Sequence, residues 1–287
     1  MKKIKKMTRM QRKVSALSVV MRVTLCVVTS LMLAGNVAAG IVPVTRDECV
    51  IMRNNGVITS DNPVPCERLS RVSFQYVNLA GKTEMGNVVV LDVVSEQVEA
   101  IFSKLFTIRF PIHKSVVMEN YQGDDNASMA DNNTSAFNGR AITNGKTWSK
   151  HAYGVAVDLN PLQNPFLGFS ANGEVNVSPA ASAKSFVNRK VIRTNKQHRS
   201  GMIDIGIIDI FSRHGFLTWG GDWDQPIDYQ HFEIGSQKFV DSLLKQTPGI
   251  AKKTFERYAA DYRQCISESS QTDVLKRQVC CIEKIRQ

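Results

Sequence analysis

Residues 149–161 read Ser149-Lys150-His151-Ala152-Tyr153-Gly154-Val155-Ala156-Val157-Asp158-Leu159-Asn160-Pro161. The run Val155 to Leu159 has the composition of a buried strand. Asp158 breaks that pattern by setting a carboxylate where burial is expected. A buried carboxylate is costly unless it is paired or metal-bound. A second segment offers partners: Trp219-Gly-Gly-Asp222-Trp223-Asp-Gln-Pro-Ile-Asp228-Tyr-Gln-His231-Phe-Glu233. Two imidazoles and one carboxylate, from His151, His231 and Asp158, make the donor set of a catalytic zinc site with its fourth position open to water. Asp228 lies three residues before His231 and so close to any such centre. A carboxylate there can take a proton from water and later pass it to a leaving amine. The same residues also fit a plainer arrangement, in which His151 caps a strand, Asp158 bonds a backbone amide and His231 packs in a core.

Outward from these segments the chain mixes strands and helices without βαβ alternation, which predicts an α+β class. Val72–Val77 and Asn87–Val94 are rich in β-branched and aromatic residues and predict strands. Ser95 reads as an N-cap. Val98, Ile101, Phe102, Leu105 and Phe106 then repeat with helical spacing. Residues 122–150 are polar and Asn-rich and read as loop. Ile203, Ile207, Ile210 and Phe211 predict another helix, ended by His214-Gly215. Phe216–Trp219 and His231–Ile234 read as strands. From Ser236 onward the pattern is helical. Its apolar stripes are Phe239/Val240/Leu243/Leu244, Phe255/Tyr258/Tyr262/Cys265 and Leu275/Val279/Ile282, with a break at Pro248-Gly249.

The motifs Ser149-x-His151-x-x-Gly154-x-Ala156-x-Asp158 and Asp228-x-x-His231 resemble the M15 family of zinc peptidases. This is the group of D-alanyl-D-alanine carboxypeptidases and L-alanyl-D-glutamate endopeptidases. Upstream, Ser128-Met129 and Asn132–Arg140 are similar to the segment that brings that family's substrate-binding arginine. The resemblance covers about residues 70–235. It implies a Hedgehog/DD-peptidase-like α+β fold with a small antiparallel sheet and flanking helices. It implies one zinc ion held by His151, Asp158 and His231, with Asp228 as general base to a zinc-activated water. Arg140 would stabilise the developing oxyanion or hold a substrate carboxyl or carbonyl, a role that suits a permanently charged planar fork of donors. The substrate implied is a peptidoglycan stem peptide. Asp rather than Glu at position 228 fits the endopeptidase-like branch at least as well as the dipeptidase branch. A non-catalytic cell-wall-binding protein on the same fold is the alternative, and an interaction role for the C-terminal helices is another.

Other residues carry two readings each. Ser149 can bond substrate or serve the loop. Tyr153, Trp219 and Trp223 can line the cleft or fill a core, with Trp223 the best placed for substrate. Asp222 can orient a ligand imidazole or simply shape a turn. Glu233 reads as a structural salt link. His113, His198 and His214 read as non-ligands, with a cationic His214 suited to a helix end. Lys184, Arg189, Lys190, Arg193, Lys196 and Arg199 form a basic stretch with no acid among them. It is either a solvated loop or a rim that attracts anionic peptides.

The 287 residues carry a formal charge of +10. Such a balance first raises a nucleic-acid partner. Eight of the basic residues, however, lie in residues 1–39, which hold no acid. There, Arg22 precedes the apolar run Val23–Leu33, which is short for a membrane span, and Val37 and Ala39 occupy the −3 and −1 positions of an export signal. Removing the segment leaves 28 basic against 26 acidic residues, a net +2, so no nucleic-acid partner and no stable membrane span are expected. Bacterial-type export to the periplasm or beyond favours pairing of the five remaining cysteines. Cys49 would pair with Cys66, and Cys265 with Cys280 or Cys281. The sequence thus divides into a signal (1–39), an irregular N-terminal extension (40–69), a zinc peptidase domain (70–235) and a C-terminal helical extension (236–287).

Overall fold

The computed structural model describes residues 39–142, 145–190 and 199–286. The expected export signal, apart from Ala39, lies outside these residues, as do Arg193, Lys196 and His198. The observed class is α+β, with small antiparallel sheets and helices.

Strand β1 (Gly40–Pro43) is followed by helix α1 (Arg46–Asn54). The stretch 40–69 is therefore not irregular as composition implied. Thr45 and Glu48 form a capping box that starts α1, and Cys49 is bonded to Cys66. Strands β2 (Leu69–Val77) and β3 (Thr83–Leu91) pair antiparallel, and β1 adds to the free edge of β2. Residues 92–94 form a 3-10 turn rather than the end of β3. That turn runs into α2 (Ser95–Thr107). Ser95 is thus the first helical residue and not the N-cap, and its hydroxyl donates to the Asp92 carbonyl. Of the predicted stripe, Val98, Ile101, Phe102 and Leu105 are buried and Phe106 is half-buried, and Phe102 stacks on Phe74 of β2.

The Asn-rich region holds one short helix, α3 (Asp125–Ala130), capped by Asp124. Three of its asparagines, Asn132, Asn133 and Asn138, are buried rather than solvated, whereas Asn126 is exposed; Asn160 and Asn164, beyond the region, are buried too. Asn133 bonds both backbone groups of Val116, and Asn160 bonds the His113 amide and the carbonyls of Pro111 and Gly201. Backbone groups that loops leave unpaired must find partners when buried.

Strand β4 (Ala156–Asp158) begins the second half, followed by β5 (Phe166–Phe169) and β6 (Val175–Ser178). Helix α4 (Ile205–Arg213) is capped by Asp204. Strands β7 (Thr218–Trp219), β8 (Ile227–Asp228) and β9 (His231–Glu233) complete two further sheets, ordered β4-β9-β7 and β6-β5-β8. Their pairs are all antiparallel.

Helices α5 (Gln237–Leu244), α6 (Pro248–Glu268) and α7 (Val274–Ile285) follow. Pro248 opens α6, where its missing N–H costs no helical bond. Phe255, Tyr258 and Tyr262 of α6 are buried in the same apolar cluster as α2, α4 and the strands. The third expected stripe is different. Leu275 and Val279 are exposed, while Gln278 and Cys281 face inward. The Cys265–Cys281 disulfide decides which face of α7 meets α6. Cys280 is left free and exposed. No helix among the described residues is long and apolar enough to cross a membrane.

The Cys265–Cys281 bridge closes a loop with a sequence separation of 16 residues. Replacing both cysteines with Ala is expected to lower unfolding free energy by about 2–4 kcal/mol, checked by denaturant titration of the oxidised chain.

Candidate active site

The register of β4 against β9 sets Asp158 directly opposite His231 and Ala156 opposite Glu233. His151 reaches the same point from the 3-10 turn Lys150–Tyr153. That turn is anchored at both ends. The Ser149 hydroxyl accepts from the His151 amide, and Gly154 takes a left-handed φ of 68°. A Cβ on Gly154 would come within 2.5 Å of the Leu91 nitrogen, so only glycine lets the turn lie against β3.

One donor atom from each of His151, Asp158 and His231 lies within 4.8 Å of the other two, and all three residues are buried. His231 Nδ1 is 3.0 Å from Asp158 Oδ1, and His151 Nε2 is 3.2 Å from Asp158 Oδ2. The two imidazole nitrogens are 3.1 Å apart. Each imidazole is held at its other nitrogen. His151 Nδ1 donates to the Ala136 carbonyl, and His231 Nε2 donates to Glu233, 3.0 Å away. A carbonyl can only accept, so the proton of His151 sits on Nδ1 and Nε2 presents its lone pair to the cluster. An imidazole oriented this way by an outer acceptor is the usual arrangement of a metal ligand. These three residues could therefore hold a metal ion.

Burial alone would raise the Asp158 carboxyl. His151 and then His231 outweigh it and hold its pKa far below the ordinary range. Burial likewise opposes charge on His231, but Asp158 and Glu233 prevail and lift it to about 10. Without a metal, the cluster thus holds a proton among its donors at neutral pH. Asp228 lies on β8, opposite Phe166. Burial raises its pKa, and the charge of Asp158 raises it further. Its Oδ1 is buried with no hydrogen-bond partner among the described residues. The backbone at Gly220 packs onto this region, where a Cβ would stand 2.9 Å from that of Asp228 and 3.2 Å from that of His231.

Trp223 lies with its ring 5.3 Å from the His231 ring. Trp219, Trp223 and Asp222 line an adjoining cleft of about 630 Å³. Tyr153 instead packs on the core. Arg140 is tied by its carbonyl to the Ser149 amide. Its guanidinium pairs with Asp125 at 2.7 Å, and its Nε is buried without a partner among the described residues. Among the described residues, no hydrogen bond or ion pair joins its side chain to the His–Asp–His cluster. Glu233 was not read as part of the site. Its place two residues beyond His231 puts both on one face of β9, which is the signal that could have revealed it.

The remaining histidines and the basic stretch behave differently. His214 bonds Gln97, and burial, then Arg263 and Arg213, press its pKa down to about 4, so it is not a helix-end cation. Arg189 is an internal staple rather than a rim. It donates to the carbonyls of Gln163 and Ile203 and stands over the Tyr229 ring.

Comparison with known proteins bears on this geometry. The family described as D-alanyl-D-alanine carboxypeptidase matches residues 143–234. That match supports an M15 family peptidase. It spans both histidine-bearing segments and leaves Arg140, α6 and α7 outside. No curated protein and no solved structure gives a significant match.

Two outcomes follow for metal binding. The raised His231 pKa means that metal must displace a proton at pH 7. Affinity is then expected to rise with pH up to about 10, and calorimetry in buffers of different ionisation heat should detect release of about one proton. Glu233→Ala is expected to weaken metal affinity by about 10–100-fold, read by competition with a chromogenic chelator.

Proposed function

We propose that the chain is an exported zinc peptidase that hydrolyses amide bonds in peptidoglycan stem peptides. The observation that carries this is the buried His151–Asp158–His231 donor set inside the matched segment, with Asp228 beside it and its Oδ1 without a hydrogen-bond partner among the described residues. The donor set fits zinc in kind: two imidazole nitrogens and one carboxylate oxygen, buried and with one donor atom from each residue within 4.8 Å of the others. Zinc bound there supplies a Lewis acid and a water of lowered pKa.

The protein's own groups divide the remaining work. Asp228, raised by burial, accepts the proton of the attacking water and returns it to the leaving amine. Its raised pKa predicts a loss of rate as pH falls through it. Glu233 and the Ala136 carbonyl fix the two imidazoles. Arg140 is the group for a substrate carbonyl or carboxylate, a role in which its guanidinium must turn from Asp125 toward the substrate. Trp223 packs against substrate beside His231. Ser149 serves the turn that carries His151. On this reading the fold is of the Hedgehog/DD-peptidase type, and the bond cut is L-Ala–D-Glu or D-Ala–D-Ala. On the same reading residues 1–39 direct export, and the chain divides into that signal, an N-terminal extension (40–69), the peptidase domain (70–235) and a C-terminal helical extension (236–287).

The decisive test uses defined muropeptides and mass spectrometry. Wild type should release products and stop when zinc is chelated. Asp228→Ala should keep its metal and lose about 10²–10⁴-fold in rate. Retained hydrolysis in that variant would remove the base role. Metal content without cleavage of any muropeptide would favour a non-catalytic binding protein.

A further inference from the structure

Beside the metal cluster, the cleft of about 630 Å³ lies within the size range of specific ligand sites. One wall is the end of β7 and the loop after it, with Trp219, Asp222, Trp223 and Asp224. The other is the last turn of α7, with Ile282 and Arg286. Trp223 belongs both to this cleft and to the surroundings of His231. The cleft therefore opens next to the site already described. Its second wall comes from a helix outside the matched segment.

That wall is built rather than incidental. The Cys265–Cys281 bridge fixes α7 one residue before Ile282. Helix α6, its anchor, is held in the core by Phe255, Tyr258 and Tyr262. The Arg286 amide closes the helix on the Ile282 carbonyl. Arg286 forms no ion pair with Asp222 or Asp224 among the described residues. The cleft is thus lined by two carboxylates and one guanidinium that do not pair with one another among the described residues, together with two indoles. A purely anionic ligand meets Asp222 and Asp224, and a purely cationic one meets Arg286. A ligand that carries both charges satisfies both walls.

We propose that this cleft is a subsite for a zwitterionic peptide segment, with its carboxylate received by Arg286 and its ammonium by Asp222 and Asp224. Charge-assisted contacts of this kind confer orientation as well as affinity. The substrate class rests on the peptidase reading, while the subsite rests on the cleft. Helix α7 is then a specificity element, not an appendage.

The test is a fluorescence titration of the metal-free full chain, in which two of the three indoles, Trp219 and Trp223, line the cleft. The probe is N-acetyl-Ala-Ala-Lys, with one free ammonium and one free carboxylate. Its controls are the same peptide amidated at the carboxylate or acetylated at the lysine. Wild type should bind the zwitterion at least about tenfold more tightly than either control. Arg286→Ala should lose about tenfold in affinity and stop distinguishing acid from amide, while Arg286→Lys keeps part of the preference. Asp222→Asn with Asp224→Asn should stop distinguishing free from acetylated lysine. Arg286 is exposed, so its replacement leaves the fold intact. No saturable signal in wild type, or unchanged affinity in Arg286→Ala, overturns the proposal. Arg286-dependent binding without cleavage of any cell-wall peptide upholds the subsite and removes the peptidase reading instead.

Discussion

Asp158 sits in a three-residue strand with Val157 and Leu159 buried on either side of it in the chain. A carboxylate there is tolerable only because β9 brings His231 opposite it and the 149–154 turn brings His151 alongside. Breaking a buried ionic cluster by removing one partner commonly costs several kcal/mol, because the remaining charge is left uncompensated. The surrounding architecture follows from that demand. The β4–β9 register cannot slip by one residue without turning Asp158 and His231 to opposite faces. Gly154 must be glycine for the turn to reach β3, and the chain at Gly220 must run without a side chain for β8 and β9 to stay close. The Ala136 carbonyl and Glu233 then fix each ring from outside.

Much of this was legible in the sequence, for identifiable reasons. The stripes of α2, α4, α5 and α6 were readable because one face of each helix is buried. The donor set was readable because a carboxylate interrupts an apolar run and two histidines stand in Gly-punctuated segments. The stripe on α7 misled, because a disulfide rather than hydrophobic burial orients that helix. Helix α1 was hidden by Asn- and Pro-rich composition, although Thr45-x-x-Glu48 carries the capping signature. The buried asparagines were read as loop because polarity alone does not reveal that a side chain will bond buried backbone. The pairing of Arg140 with Asp125 depends on where α3 docks, which no local pattern encodes.

The helices after residue 236 change the picture of the chain. Sequence sets them apart from the segment that matches a peptidase family. Physically they share its core, and the last of them closes one side of a cleft beside His231. The opening charge of +10 points the same way. Most of it lies in the first 39 residues, and Arg189 of the later basic stretch is spent on internal carbonyls.

The central claim is that His151, Asp158 and His231 together hold one metal ion. X-ray absorption spectroscopy at the zinc edge of the purified chain tests it most directly. The account predicts one zinc per chain with two imidazole nitrogens and light oxygen ligands in its coordination sphere, at about 2.0–2.1 Å. Sulfur scattering, or zinc bound with equal strength after Asp158→Ala, would contradict it.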